Sequence, residues 1–219
     1  MSAAAISYDG AVGRWEPNAR GRLGEAAVEL FRERGYARTT VEEIAARAGL
    51  TERTFFRYFA DKREVLFSGS AALERAIADA VSAAPETASP LAAVAAGLEA
   101  AAALLPLRRK QAKERRSMIA AHAELREREL IKLTSLAAAV AGALRARGVA
   151  EPAATLAAEA GIAVFKVAYE RWIDDRGPRD LAQHIQASLG VLRAIAAGKG
   201  AAPKGKRRLA PRDGLEPPT

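Results

Sequence analysis

A chain of 219 residues can bury a sizeable core, either as one large domain or as a small domain joined to a medium one. It contains no cysteine, which excludes disulfides and thiolate metal sites and suits a reducing compartment. The net charge of +8 invites a nucleic-acid partner, but residues 1–66 hold 11 basic against 10 acidic side chains, so individual placed cations must carry that reading.

The opening MSAAAISYDGAVGRWEP lacks the basic and apolar regions of a signal peptide. Residues 1–17 read as a flexible arm in which Trp15 is a stray packing residue. Arg14, with Arg20 and Arg22 beyond it, either touches a phosphate backbone or is simply solvated. Leu23, Ala27, Leu30, Phe31 and Arg34 then repeat at helical spacing up to Gly35, so a first helix runs from about Asn18 to Arg34.

The stretch TTVEEIAARAGLTERTFFRYFADK, Thr39 to Lys62, is the most informative part of the chain. Val41, Ile44, Ala45 and Ala48 put a narrow apolar stripe on one face of a short helix. Thr39 with Glu42, or Thr40 with Glu43, makes a capping box to start it. Gly49 ends it, since a residue without Cβ enters the left-handed conformation without steric cost. Leu50 is expected as a buried plug, Thr51 as the cap of the next helix, and Phe55 and Phe59 as its inner face. Asp61 with Glu64 offers a third cap. Ala45, Gly49 and Phe55 have the mutual spacing of a DNA-binding helix-turn-helix.

At this point the sequence resembles the TetR family of bacterial transcriptional regulators. The resemblance rests on Gly35-Tyr36, Thr39-Thr40-Val41, Ile44-Ala45, Ala48-Gly49-Leu50-Thr51, Phe56-Arg57-Tyr58-Phe59 and Lys62, and it is dense from Leu23 to Leu66. It implies an all-α fold: a three-helix DNA-binding domain over residues 18–66 and a larger helical ligand-binding and dimerisation domain over residues 67–197.

In such a motif the second helix lies in the major groove with its amino-terminal residues toward base edges. Those residues are Thr51, Glu52, Arg53 and Thr54. Arg53 either bonds guanine O6 and N7 together or lies along a phosphate, because the family often has glycine there. Glu52 caps its helix or accepts from cytosine N4. Phe56 stands where the family has a tyrosine and offers apolar contact to a sugar or a thymine methyl. Arg57 and Tyr58 reach base or backbone. Thr40 and Lys62 resemble the family's phosphate clamps, and helix amino-terminal amides add donors.

Val65, Leu66, Leu73, Ile77 and Val81 continue the period, so a fourth helix is expected from Lys62 to about Ala83, followed by a loop at Pro85 and Pro90. In family members this helix ties the reading domain to the rest. Leu91 to Leu105 makes a helix broken by Pro106, too short and too alanine-rich to span a bilayer. Leu107 to His122 makes another. Leu125, Leu133, Leu136, Val140 and Leu144 define a long one ending at Gly148. Pro152 opens a helix through Leu156, Ala160, Val164, Phe165, Ala168 and Trp172. Gly177-Pro178 breaks it, and Leu181, Ile185, Leu189, Leu192 and Ile195 form the last stripe.

By the resemblance, the last two helices pair two chains. Leu156, Ala160, Val164, Leu181, Ile185, Leu189 and Leu192 are the expected interface, unless those stripes complete the monomer's own core. Arg108, Arg109, Met118, His122, Phe165, Tyr169 and Trp172 are candidate ligand contacts. The basic run Arg108, Arg109, Lys110, Lys113, Arg115 and Arg116 is either a solvated face or the seat of an anionic effector such as an acyl-CoA. Residues 198–219 read as a disordered tail whose Lys206-Arg207-Arg208 cluster adds sequence-independent attraction to DNA.

His122 and His184 lie in different helices, and no phosphate loop, HExxH string or nucleophile elbow appears, so neither an enzyme nor a cofactor or metal protein is expected. The sequence therefore suggests a cytoplasmic, ligand-released repressor that acts as a homodimer on a palindromic operator in double-stranded DNA, with no membrane role. A weakly specific architectural DNA-binding protein and a helical ligand carrier are the alternatives.

Overall fold

A computed structural model describes residues 18–104 and 109–199. The expected arm with Arg14 and Trp15, the candidate Arg108, and the Lys206-Arg207-Arg208 cluster all lie outside the described residues. The fold is all-α: ten helices and no strand among the described residues. They are α1 (Ala19–Arg34), α2 (Val41–Arg47), α3 (Glu52–Tyr58), α4 (Lys62–Val65), α5 (Ser70–Ala83), α6 (Pro90–Leu104), α7 (Arg109–Ala121), α8 (Ala123–Ala146), α9 (Ala153–Asp174) and α10 (Leu181–Ala196). Two compact units result. One joins residues up to Arg75 with Lys110–Ser135, and the other joins Ala76–Arg109 with the chain from Leu136.

The first unit is built by successive caps. The Thr40 hydroxyl accepts from the Glu43 amide at 3.1 Å while Glu43 accepts from the Thr40 amide at 3.0 Å, so the second of the two possible boxes starts α2. The chain turns at Gly49 with φ +65°, and a Cβ there would lie 2.9 Å from Arg22 Nη2. Arg22 itself donates to the Ala48 carbonyl, closing the end of α2. Thr51 accepts from the Thr54 amide at 3.2 Å and starts α3. Asp61 accepts from the amides of Arg63 and Glu64 at 2.8 and 3.1 Å and starts α4. Behind these corners Leu23, Leu30, Phe31, Tyr36, Ile44, Phe55, Phe59, Val65 and Phe67 form one core, completed by Ile119 of α7 and Leu125 of α8. Leu50, expected buried, is only partly so and packs at the rim.

The expected single helix from Lys62 to Ala83 is two helices. After Val65 the amides of Leu66, Phe67, Ser68 and Ser70 bond back three residues, a tight-turn pattern that does not continue into α5. Ser68-Gly69-Ser70, weak helix formers, sit at the break, and the Ser68 carbonyl is taken by Arg20 Nη2 at 2.9 Å.

In the second unit α6, α9 and α10 pack against one another. Gly161 of α9 makes the closest approach: a Cβ there would collide with the Val94 side chain of α6. Ile77, Val81, Leu98, Val140, Leu144, Ala168, Ile185 and Leu189 are buried within it. Two loops are tied by arginines. Arg147 donates to the carbonyls of Ser82, Ala84 and Pro85, and Arg109 donates to those of Asp175, Gly177 and Arg179. Among the described residues no single helix is long and apolar enough to cross a membrane.

Candidate nucleic-acid interface

α3 is fastened from within and bare without. Phe55 is fully buried and packs on Phe59 with ring centres 5.4 Å apart and the planes tilted, so one face of this short helix is pinned to the core. The opposite face exposes Glu52, Arg53, Phe56 and Arg57. Arg53 has no hydrogen bond or ion pair with any other described residue. Phe56 leaves 53% of its surface in solvent, a large apolar group held at the protein's edge by an edge-on contact with Phe55. Thr51 and Thr40 are both exposed but their oxygens already cap helices, and Thr54 shares a 3.1 Å hydroxyl contact with Thr51. Tyr58 is half-buried against the core, with the Arg57 guanidinium stacked over its ring.

Lys62 departs from the expected phosphate clamp. Its ammonium donates to the carbonyls of Tyr36 and Thr39 at 3.0 Å and of Ala37 at 3.4 Å, and it sits 4.4 Å from the centre of the Tyr36 ring. An ammonium has three donors, and three carbonyls use them. Lys62 therefore holds the α1–α2 loop beneath the reading helix. Arg20 and Arg22, alternatives for phosphate contact, are likewise drawn inward: Arg20 lies over Phe59 and binds Ser68, and Arg22 binds Ala48.

The corner after α3 is fixed by charge. Arg128 of α8 reaches Asp61 at 3.3 Å and Glu64 at 3.1 Å, and Lys132 reaches Glu64 at 3.1 Å. Burial works to raise the Asp61 carboxyl, but the Arg63 guanidinium and the amides of Glu64 and Arg63 outweigh it and hold the group below the ordinary carboxylate range. Burial pushes the Tyr36 phenol well up, with the Glu124 carboxylate adding to the effect. The Glu64 amide follows from the expected cap, but Arg128 and Lys132 were not legible beforehand, since they lie 67 and 68 residues from Asp61 and Glu64.

The seven candidate ligand contacts are not brought together in one unit. Met118 and His122 belong to the first, where His122 packs on Tyr36 at 4.9 Å and Met118 on the core. Phe165, Tyr169 and Trp172 form an aromatic ladder along α9 in the second, with centroids 6.0 and 5.8 Å apart. Arg109 lies over Trp172 at 5.7 Å and spends its donors on the α9–α10 loop, so it is a loop anchor in place of an effector contact. In the same loop Asp175 accepts from the Gly177 amide and pairs with buried His184 at 3.0 Å. The amide first, and then the His184 bond, hold its carboxyl low. Arg115 is also engaged, on the Leu66 carbonyl and over Phe67.

Of the expected pairing residues, Val164, Leu181, Ile185 and Leu189 are buried within the single chain. Ala160 and Leu192 are half-buried, and Leu156 is 65% exposed. The aliphatics that α9 and α10 turn outward are Leu156, Val167, Val191 and Ile195. Of these, sequence reasoning named only Leu156 for pairing, because both helices carry apolar side chains on more than one face.

Residues 23–68 match the family model described as bacterial regulatory proteins, tetR family. The HTH-type transcriptional regulator TcmR of Streptomyces glaucescens is 40% identical over 81 residues, 37% of this chain and 36% of that protein. Among solved structures, the complex of triclosan with SmeT, the repressor of a Stenotrophomonas maltophilia multidrug efflux pump, is similar. Its TM-score is 0.57 at 20% identity, over 88% of this chain and 99% of that one. FadR of Bacillus subtilis in complex with stearoyl-CoA gives a TM-score of 0.55 at 20% identity, over 78% and 96%. At that identity the likeness is one of fold. The curated matches take in 36% and 30% of those relatives' own lengths.

Proposed function

We propose that this chain, whose residues 23–68 match the model of the tetR family of bacterial regulatory proteins, is a sequence-specific, ligand-released repressor acting as a homodimer on a two-fold operator. The observation that carries the reading is α3 itself, pinned by Phe55 and exposing Arg53, Phe56 and Arg57 along one side. A helix of seven residues is about 10 Å long, which suits a major groove about 12 Å wide. In this reading Arg53 and Phe56 meet base edges, and the outward aliphatics of α9 and α10 pair two chains so that their heads stand about 34–36 Å apart.

The effector is proposed to bind in the second unit along Phe165, Tyr169 and Trp172, where aromatic faces line one side of α9. An acyl-CoA-like molecule is the first class to test.

Selection of bound duplexes from a random pool, followed by footprinting across a salt titration, tests the main claim. The expected result is one two-fold protected site whose advantage over unrelated DNA persists as salt rises. Arg53→Ala should relax preference at one base position, a loss of about 1–3 kcal/mol. Affinity that falls in parallel on every sequence would leave only a cationic binder.

A further inference from the structure

Arg57 and Tyr58 are neighbours in sequence, and on a helix neighbouring side chains diverge by about 100°. Here they converge. The Arg57 guanidinium carbon lies 5.0 Å from the centre of the Tyr58 ring, and Arg57 Nη2 donates to Tyr58 Oη at 3.3 Å. The tyrosine is the fixed member, half-buried and packed on the core, and the arginine is the exposed one that has folded onto it. From this geometry we infer that Arg57 and Tyr58 act as one composite contact for a single backbone phosphate, leaving base reading on α3 to Arg53 and Phe56. The inference rests on the DNA-binding reading above and divides the labour within it.

Three physical points support the division. An arginine laid against a ring on its own helix has used its length for stacking and does not extend to the groove floor, whereas a phosphate approaches the protein's flank. Arg57 and Tyr58 are the last two residues of α3, and in a helix-turn-helix it is the amino-terminal part of the second helix that is turned to the base edges. The hydrogen-bond polarity also fits an anion. Tyr58 Oη accepts from Arg57, which leaves its own O–H available to donate and polarised by the cation. The guanidinium keeps further N–H groups beyond the one given to Tyr58, so an anion would meet several charge-assisted donors. Stacking fixes the arginine's rotamers before DNA arrives, so less side-chain entropy is lost on binding.

The test uses the full chain on two duplexes: the operator that the wild-type protein selects from a random pool, and an unrelated sequence of equal length. Arg57→Ala is expected to weaken both about three- to tenfold while leaving the selected consensus unchanged. The salt dependence of log K should fall in slope by about one. Tyr58→Phe keeps the ring and removes only the oxygen, so the fold is preserved; it should weaken both duplexes by a smaller factor. The double variant should lose less than the product of the two single losses, the signature of coupled groups. A changed base preference in Arg57→Ala, single losses that simply multiply, or affinities equal to wild type would each overturn the inference. Failure of the wild-type protein to select any operator would instead sink the DNA-binding reading beneath it.

Discussion

At the scale of single residues, cations in this chain are used as structural ties more often than their count suggests. Lys62, Arg109 and Arg147 each gather three loop carbonyls, and Arg22 closes the end of α2. A +8 chain thus has fewer uncommitted positive groups than its composition implies, and Arg53 is one of those with no hydrogen bond or ion pair to another described residue. Anions have a comparable role at Asp61, whose carboxyl lies below its ordinary value. The proton linkage has a definite sign. A depressed carboxyl adds stability above its unfolded value of about 4, and that contribution is lost as pH falls through the unfolded and then the lower folded value. Asp61→Asn keeps a competent cap but not the charge. Chemical denaturation from pH 7 to pH 2 is expected to show the variant less stable than wild type at neutral pH and the two curves converging in acid. Parallel curves would remove Asp61 as a source of the acid sensitivity.

At the scale of elements, what the sequence made legible was local. Thr40, Gly49, Thr51 and Asp61 mark the corners of the reading domain because a cap or a left-handed turn is decided within four residues. Phe55 and Phe59 were readable for the same reason. Lys62 was not, since the carbonyls it binds lie 23 to 26 residues upstream. The break between α4 and α5 was also missed, because Val65, Leu66, Leu73, Ile77 and Val81 keep an apolar period straight through it and only Ser68-Gly69-Ser70 signals otherwise. That break should be removable. A Cβ on Gly69 would meet nothing within 4 Å, and alanine favours helix over glycine by about 1 kcal/mol. Ser68→Ala with Gly69→Ala is expected to fuse the two helices, adding about one turn of helix by far-ultraviolet circular dichroism. An unchanged spectrum would show that the Arg20 bond to the Ser68 carbonyl dominates the corner.

At the scale of the whole molecule, the burial pattern of α9 and α10 decides which side chains should be altered to test the proposed pairing of two chains. The stripe chosen from helical spacing is mostly consumed inside one chain, and Val164, Ile185 and Leu189 would report on folding if mutated. Val167 and Ile195, exposed by 48% and 60%, are the informative pair. Val167→Glu with Ile195→Glu is expected to halve the mass seen by sedimentation while the melting of isolated subunits stays cooperative. Operator affinity should drop on the order of a hundredfold, because two linked contacts become one. A dimer that survives both charges would move the pairing surface elsewhere.

The interruption at Leu66–Gly69 bears on how such a molecule could diversify. On the proposed reading, what a head recognises is written on α3, while the way the chain departs from that head is written eight to eleven residues later, in a tight turn with few buried side chains. If two chains pair as proposed, substitutions in the turn would re-aim their heads toward half-sites at a new separation without rewriting the letters they recognise. Lineages descended from one such regulator would then diverge in spacing and in consensus along independent axes.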